Sequence, residues 1–127
     1  MIGVILVGTG SFIGGVLRYG LATWIQKLFN NPEFPYGTLT VNASGCLVIG
    51  LLAGFAEARA FFNAELRLFL LVGILGGFTT FSSFALETLY LARFNQVSEA
   101  LANVGLQVLL SLVAVWAGHL LGYAAGR

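Results

Sequence analysis

Four times in 127 residues the sequence runs apolar for long enough to cross a lipid bilayer. A hydrocarbon core of about 30 Å takes about 20 helical residues per crossing. The stretches 2–28, 38–60, 66–93 and 97–125 each meet that length. Inside lipid every backbone N–H and C=O must be paired within the protein, which leaves helices and closed barrels as the spanning forms. None of the four stretches alternates polar and apolar residues as a barrel strand does. The sequence therefore predicts an all-α membrane protein, a single domain of four transmembrane helices over residues 1–127.

The connections are short. "NNPEFPYG" carries Pro32 and Pro35 and is expected to stop the first span. "RAFFNAE" separates the second and third spans, with Asn63 as N-cap before "AELRLFLL". "FNQVSE" separates the third and fourth, where Asn95 or Ser98 is the expected cap. Composition agrees, with 58% hydrophobic and 9% charged residues, against roughly 25% charged in soluble domains. Such a chain cannot cover its own surface with polar groups in water. No soluble appendage is expected, and "MIGVILVGTGSFIGG", which lacks a positively charged leader, is read as the start of the first span. A net charge of +1 gives no case for nucleic acid, and no polybasic cluster is present to recruit anionic lipid. The single cysteine, Cys46, excludes an intrachain disulfide.

Four spans put both termini on one side. Arg59, Arg67 and Arg127 lie with them, Lys27 and Arg93 opposite. The positive-inside rule needs a bias to fix orientation, and this chain has almost none, which hints at insertion both ways. Each span also holds a GxxxG: Gly10/Gly14, Gly50/Gly54, Gly73/Gly77 and Gly118/Gly122. Small residues at this spacing let helix backbones approach closely. With 17 glycines such spacings also arise by chance, so a tightly packed interface is expected without any one pair being singled out. These faces are expected to offer a second subunit its approach.

The polar residues are what lipid does not explain. In "GILGGFTTFSSFALE" (73–87), Gly76 and Gly77 precede Thr79 and Thr80, a weak point for a helix. Two readings stand. One is a glycine packing notch with threonines bonded back to the preceding turn. The other is an interruption that frees carbonyls to bind a cation. Phe81 and Phe84 share a helical face; such rings usually pack against lipid or core, yet their electropositive edges suit an anion. Thr80, Ser82 and Ser83 lie beside them. Asn42, in "YGTLTVNASG", is either an interhelical hydrogen-bonding residue or an anion donor through its NH₂. Gln107 and Ser111, four apart, share a face of the last span. Arg18 is an ionisable residue inside the first span, functional by default or snorkelling from a watery vestibule. Glu87 is its candidate counter-charge. His119, the only histidine, is read as a packing residue. No nucleophile–base–acid set, His/Cys cluster or phosphate loop occurs, which argues against an enzyme.

"GGFTTFSSF" resembles the third-helix motif of the small bacterial fluoride channels, the Fluc or CrcB family, usually GGxTTFSTF followed by an acid. "GTLTVNASG" resembles that family's second-helix motif GTLxVN, and "GGVLRYG" its first-helix arginine motif. With Ser111–Leu112 matching the last helix, the resemblance spans the chain in order. It implies an antiparallel homodimer of four-helix subunits, third helix broken mid-membrane, passing fluoride through two pores in the cell membrane. By the same resemblance Phe81 and Phe84 line the fluoride path and Asn42 is the pore asparagine. Ser111 lies on a hydroxyl track, and Arg18 is the vestibule arginine. Backbone carbonyls of Gly76 and Thr79 from both subunits hold one structural, non-permeating sodium ion. Thr80, Ser82, Ser83 and Gln107 join the pathway by position. Two departures stand out: Ser83 replaces a frequent threonine, and Val115 replaces a hydroxyl at the end of the track. The implied function is passive export of cytoplasmic fluoride. A small dual-topology multidrug exporter would need a carboxylate in the first span, where this chain has Arg18 and no acid. A non-transporting scaffold subunit would give no ion flux.

Overall fold

A computed structural model describes residues 1–59 and 62–127. Its elements are α1 (Ile2–Phe29), α2 (Tyr36–Arg59), α3 (Ala64–Arg67), a π-helical segment (Leu68–Leu75), α4 (Gly76–Phe78), α5 (Phe81–Arg93) and α6 (Val97–Gly126). Four stretches are long and apolar enough to cross a membrane: α1, α2, the run Ala64–Arg93 taken together, and α6. The spans expected from sequence fall within two residues of these bounds; position 60, the expected end of the second, and position 61 of the following connection lie outside the described residues. No strand occurs among the described residues.

The helix ends follow local chemistry, not always the chemistry expected. α1 stops at Asn30, which takes the left-handed conformation (φ 47°). The prolines come later, within the connection, so the asparagine ends the helix and the prolines only keep it from resuming. Gln26 then ties that connection down. Its Nε2 donates to the carbonyls of Asn31 (2.8 Å) and Phe34 (2.9 Å), and its Oε1 accepts from the Gly37 amide (3.1 Å). Asn63 caps α3 as expected, its side chain accepting from the Leu66 amide at 2.8 Å. The expected caps of α6 do not form. Asn95 is consumed by a left-handed turn (φ 61°), Ser98 donates to Glu99 Oε2 (2.8 Å), and Gln96 occupies the cap position without a side-chain bond.

Glycine decides the packing. The helices associate as two close pairs, α1 with the π-helical segment and α4, and α2 with α6. A Cβ on Gly10 would lie 2.7 Å from the Phe69 carbonyl oxygen and 2.8 Å from the Gly73 Cα, and one on Gly77 would lie 2.7 Å from the Ser11 Cα. Added Cβ atoms on Gly50 and Gly54 would strike the carbonyls of Val115 and His119; on Gly118 and Gly122, those of Leu47 and Leu51. All four GxxxG pairs are therefore taken up inside one chain. The expectation that they serve a second subunit is corrected here: spacing announces a close approach but not between whom.

The π-helical segment was not expected. A change from i+4 to i+5 bonding leaves no mark in apolar residues, because every position stays apolar whichever way it turns. At its exit the Gly76 amide still reaches both Gly73 and Leu71 carbonyls. Such segments recur next to functional sites, and this one leads directly into the glycine–threonine stretch. The fully or nearly buried apolar set is small (Val41, Leu75, Phe84, Leu91 and Ala100 among it), while Phe12, Val113 and Trp116 face outward. That is the pattern of helices whose solvent is hydrocarbon.

Candidate functional site

The site is built around two residues that leave the helical conformation. α4 ends at Phe78; Thr79 (φ −80°, ψ 156°) and Thr80 (φ −148°, ψ 116°) are extended, and α5 resumes at Phe81. Two of the backbone donors at this point find side-chain substitutes. The Thr80 amide, which in a continuous α-helix serves the Gly76 carbonyl, instead donates to Asn42 Oδ1 at 2.8 Å. The Ser83 amide, which would serve Thr79, donates to Thr80 Oγ1 at 3.2 Å, so Thr80 caps α5. Thr79 Oγ1 donates back to the Leu75 carbonyl at 3.0 Å. Each of the two sequence readings thus describes part of the geometry: a back-bonded threonine, and carbonyls deprived of their usual amides.

Asn42 joins three helices. Its Nδ2 donates to the Thr80 carbonyl (2.9 Å) and to Gln107 Oε1 on α6 (3.0 Å). Beside these groups lies a cavity of about 430 Å³, whose walls include Asn42, Gly76, Thr79, Thr80, Phe81, Phe84, Gln107 and Ser111. Eight of the residues singled out in the sequence therefore converge from α2, the 76–84 stretch and α6. Phe84 is 8% exposed and Phe81 79% exposed. Their rings meet edge to face, centroids 5.3 Å apart at 68°. Phe81 thus stands at the open side of the cavity and Phe84 at its closed side.

Other candidates lie elsewhere. Ser82 and Ser83 are outside the cavity wall; Thr80 Oγ1 donates to Ser83 Oγ at 3.0 Å and lies 3.4 Å from Ser82 Oγ. Arg18, half-buried on α1, does not meet Glu87. The Glu87 carboxylate accepts from Thr38 Oγ1 at 2.6 Å. His119 Nε2 lies within hydrogen-bond distance of Glu57 Oε2 (2.9 Å), and its ring is also stacked on Tyr123. His119 is thus more than a packing residue; its partner is 62 positions away and no local pattern announces it.

Sequence reasoning missed two features. A second cavity, about 880 Å³, lies where the α1–α2 connection meets the α5–α6 turn; Gln26, Lys27, Glu33, Thr38, Glu87 and Gln96 contribute to its wall. Asn103, fully buried, donates to Thr88 Oγ1 at 2.9 Å. Its signal was present: polar residues recur every four positions at Asn103, Gln107 and Ser111 along one face of α6.

No three His, Cys, Asp or Glu side chains come together among the described residues. A cation here would depend on backbone oxygen, the ligand type hard cations prefer. Gly76 and Thr79 fit that requirement, since the amides of Thr80 and Ser83 that would otherwise pair their carbonyls both bond to side-chain oxygens.

Comparison with known proteins follows the same lines. Residues 5–119 match the family described as CrcB-like protein, Camphor Resistance (CrcB). A fluoride-specific ion channel FluC of Parabacteroides distasonis is 45% identical over 122 residues, covering 96% of this chain and 94% of its own length. The FluC of Rhizobium meliloti is 43% identical over 115 residues, 91% of each chain. FluC 1 of Methanosarcina acetivorans is 40% identical over 117 residues, 92% of this chain and 88% of its own. With its four apolar helices, its interrupted glycine–threonine stretch and a match over nearly all its length, the chain belongs to the CrcB-like family.

Proposed function

We propose that this protein is a fluoride-selective ion channel of the cell membrane that lets cytoplasmic fluoride leave passively. The observation that carries the reading is its 40–45% identity, over at least 91% of its length, to proteins named fluoride-specific ion channels. Hydrogen fluoride crosses lipid uncharged and ionises in a near-neutral cytoplasm, which traps the anion. A negative interior then expels it with about 2.3 kcal/mol per unit charge per 100 mV, so no energy source need be coupled. Nothing is broken or formed covalently, and the protein is a transporter rather than an enzyme.

Selectivity demands a narrow passage whose groups replace the water around a small, strongly hydrated anion. The cavity is lined by Phe81 and Phe84, whose ring edges suit an anion, by Thr80 and Ser111, which carry hydroxyls, and by Gln107, which carries an amide. Arg18 supplies positive charge on α1 for an approaching anion. The exporter alternative finds no support, because α1 contains no acid.

The working unit in this reading is an antiparallel homodimer. The polar residues of the open cavity, Asn42, Thr80, Gln107 and Ser111, need shielding from lipid that one chain does not supply, and in this reading a second copy supplies it. The Thr79–Thr80 interruption lies halfway along the 30-residue run Ala64–Arg93, at mid-membrane depth if that run spans. A two-fold axis in the membrane plane brings two such points together. Gly76 and Thr79 carbonyls of both copies would then hold one structural sodium ion, whose charge offsets the carbonyl dipoles between the subunits.

Efflux from liposomes loaded with fluoride or chloride tests the function. Purified protein is expected to release fluoride rapidly and chloride at the rate of protein-free vesicles. Equal release of both ions, or none of fluoride, refutes it.

A further inference from the structure

Two side-chain amides meet in the cavity, and their hydrogen bonds give them different tasks. Asn42 has nothing left to donate. Its two amide hydrogens serve the Thr80 carbonyl (2.9 Å) and Gln107 Oε1 (3.0 Å), while its Oδ1 accepts from the Thr80 amide (2.8 Å). Gln107 is the reverse case: Oε1 is engaged by Asn42, and Nε2 is buried without a partner in a residue only 5% exposed. Buried donors are nearly always paired, so this NH₂ awaits an acceptor that enters the cavity.

The chemistry of that acceptor follows from the neighbouring orphans. Among the described residues three buried side-chain atoms lack a partner: Glu87 Oε2, Asn103 Oδ1 and Gln107 Nε2. The first two only accept when Glu87 is ionised, and an anion gains nothing from them. The third only donates, and it alone lines the cavity that holds Phe81, Phe84 and Ser111.

We infer that Gln107 Nε2 is the amide that donates to the passing anion, and that Asn42 is a positioning residue that orients Gln107 without touching the ion. The inference rests on the fluoride reading and assigns its donor. The bond from Asn42 to Oε1 fixes which end of the Gln107 amide turns to the cavity; without it the amide can rotate and present its oxygen to an anion. The same three bonds hold Thr80, so one asparagine sets both the interruption and the donor.

The test uses the full chain in liposomes, with fluoride efflux measured across a concentration series. Gln107→Glu keeps the shape and an oxygen for Asn42 but replaces the donor; Gln107→Met removes both functions. A lost hydrogen bond to a charged partner is worth a tenfold change or more, so half-saturating fluoride should rise at least about tenfold in each variant, with assembly unchanged by size-exclusion chromatography. Asn42→Ala should also raise it in the wild-type background but add nothing on top of Gln107→Met; additive effects overturn the positioning role. An unchanged half-saturation in both Gln107 variants overturns the donor assignment. So does loss of assembly with unchanged half-saturation, which gives the NH₂ to an acceptor on the second copy. A measurement free of variants accompanies these. In wild-type protein labelled with ¹⁵N-glutamine, the Gln107 side-chain NH₂ resonances should shift on titration with fluoride and stay still with chloride; stillness in both overturns the inference. Wild-type protein that passes no fluoride at all overturns the fluoride reading itself, whereas wild-type flux with unaltered Gln107 variants overturns this inference alone.

Discussion

Replacing Asn42 with alanine removes three hydrogen bonds that together hold the Thr79–Thr80 stretch: two with Thr80 and one with Gln107. Side-chain hydrogen bonds between membrane helices average about 0.6 kcal/mol each, which puts the summed loss at about 2 kcal/mol. The Thr80 amide makes the cost asymmetric, because a buried donor left unpaired adds about 1–3 kcal/mol. The chain has one way to avoid that addition, which is to rewind the stretch so that the Thr80 amide returns to the Gly76 carbonyl. Either outcome is visible by hydrogen exchange at the Thr80 amide in detergent, alongside thermal unfolding and fluoride flux. An unpaired amide should exchange at least about 30-fold faster, the equivalent of 2 kcal/mol, with a lowered unfolding midpoint. A rewound helix should keep its protection and lower the midpoint less, by the two bonds that Asn42 Nδ2 donates, but lose flux, since the Gly76 carbonyl is then occupied. Wild-type exchange, midpoint and flux together would refute the claim that Asn42 maintains this geometry.

Phe81→Ile and Phe84→Ile should each cut fluoride flux sharply, because an aliphatic side chain has no positive ring edge; wild-type flux in the double variant defeats the ring-edge account. Only the Phe84 change should also lower the unfolding midpoint, since Phe84 is buried and Phe81 exposed. Replacing sodium with a large organic cation on both sides should abolish flux or weaken the dimer; unchanged flux and assembly in sodium-free buffer removes the ion from the mechanism. Gly122→Ala drives a methyl into the Leu51 backbone and should destabilise by about 1–3 kcal/mol. Gly105→Ala meets nothing within 4 Å and should be neutral or stabilise by up to about 1 kcal/mol; equal midpoints for the two variants contradict the packing described. A C-terminal tag should be accessible from both sides of the membrane in about equal measure, and labelling from one side alone rules out the antiparallel dimer.

The parts of the molecule that were legible in the sequence are those set by solvent and by local chain chemistry. Lipid requires long apolar helices, and four of them stand in the sequence almost to the residue. Asn63 caps a helix because its side chain reaches an amide three residues on. The GxxxG spacings were legible as close approaches, yet Gly10 meets Phe69 and Gly122 meets Leu51, partners that only the tertiary arrangement selects. The same limit applies to Asn42. Its residue type in an apolar helix demanded a partner, but the amide it satisfies lies 38 positions away. The Glu87 carboxylate was open to Arg18 on charge alone and went instead to Thr38, a buried hydroxyl on the adjoining helix. Charge attracts at any separation, whereas a 2.6 Å hydrogen bond also needs the two groups on facing sides of packed helices.

The hydrogen bonds of the interrupted stretch explain why it can exist in an apolar surrounding and serve ions of both signs. An interruption exposes donors and acceptors alike, and the protein treats them unequally. Thr80 and Ser83 amides are matched by Asn42 and by Thr80 itself. The Leu75 carbonyl receives both the amide and the hydroxyl of Thr79 (3.0 Å each). The amides that would pair the Gly76 and Thr79 carbonyls are thus taken by side chains, which leaves carbonyl oxygen at those two positions, a setting that favours a cation and repels an anion. One helix away, Asn42 claims the Gln107 oxygen and leaves the Gln107 NH₂, a setting of opposite preference. A single asparagine thus sorts acceptors to one side and a donor to the other. A sodium ion held at the carbonyls and fluoride moving past the amide are, in this account, two consequences of the same three bonds, and they should fail together when Asn42 is lost.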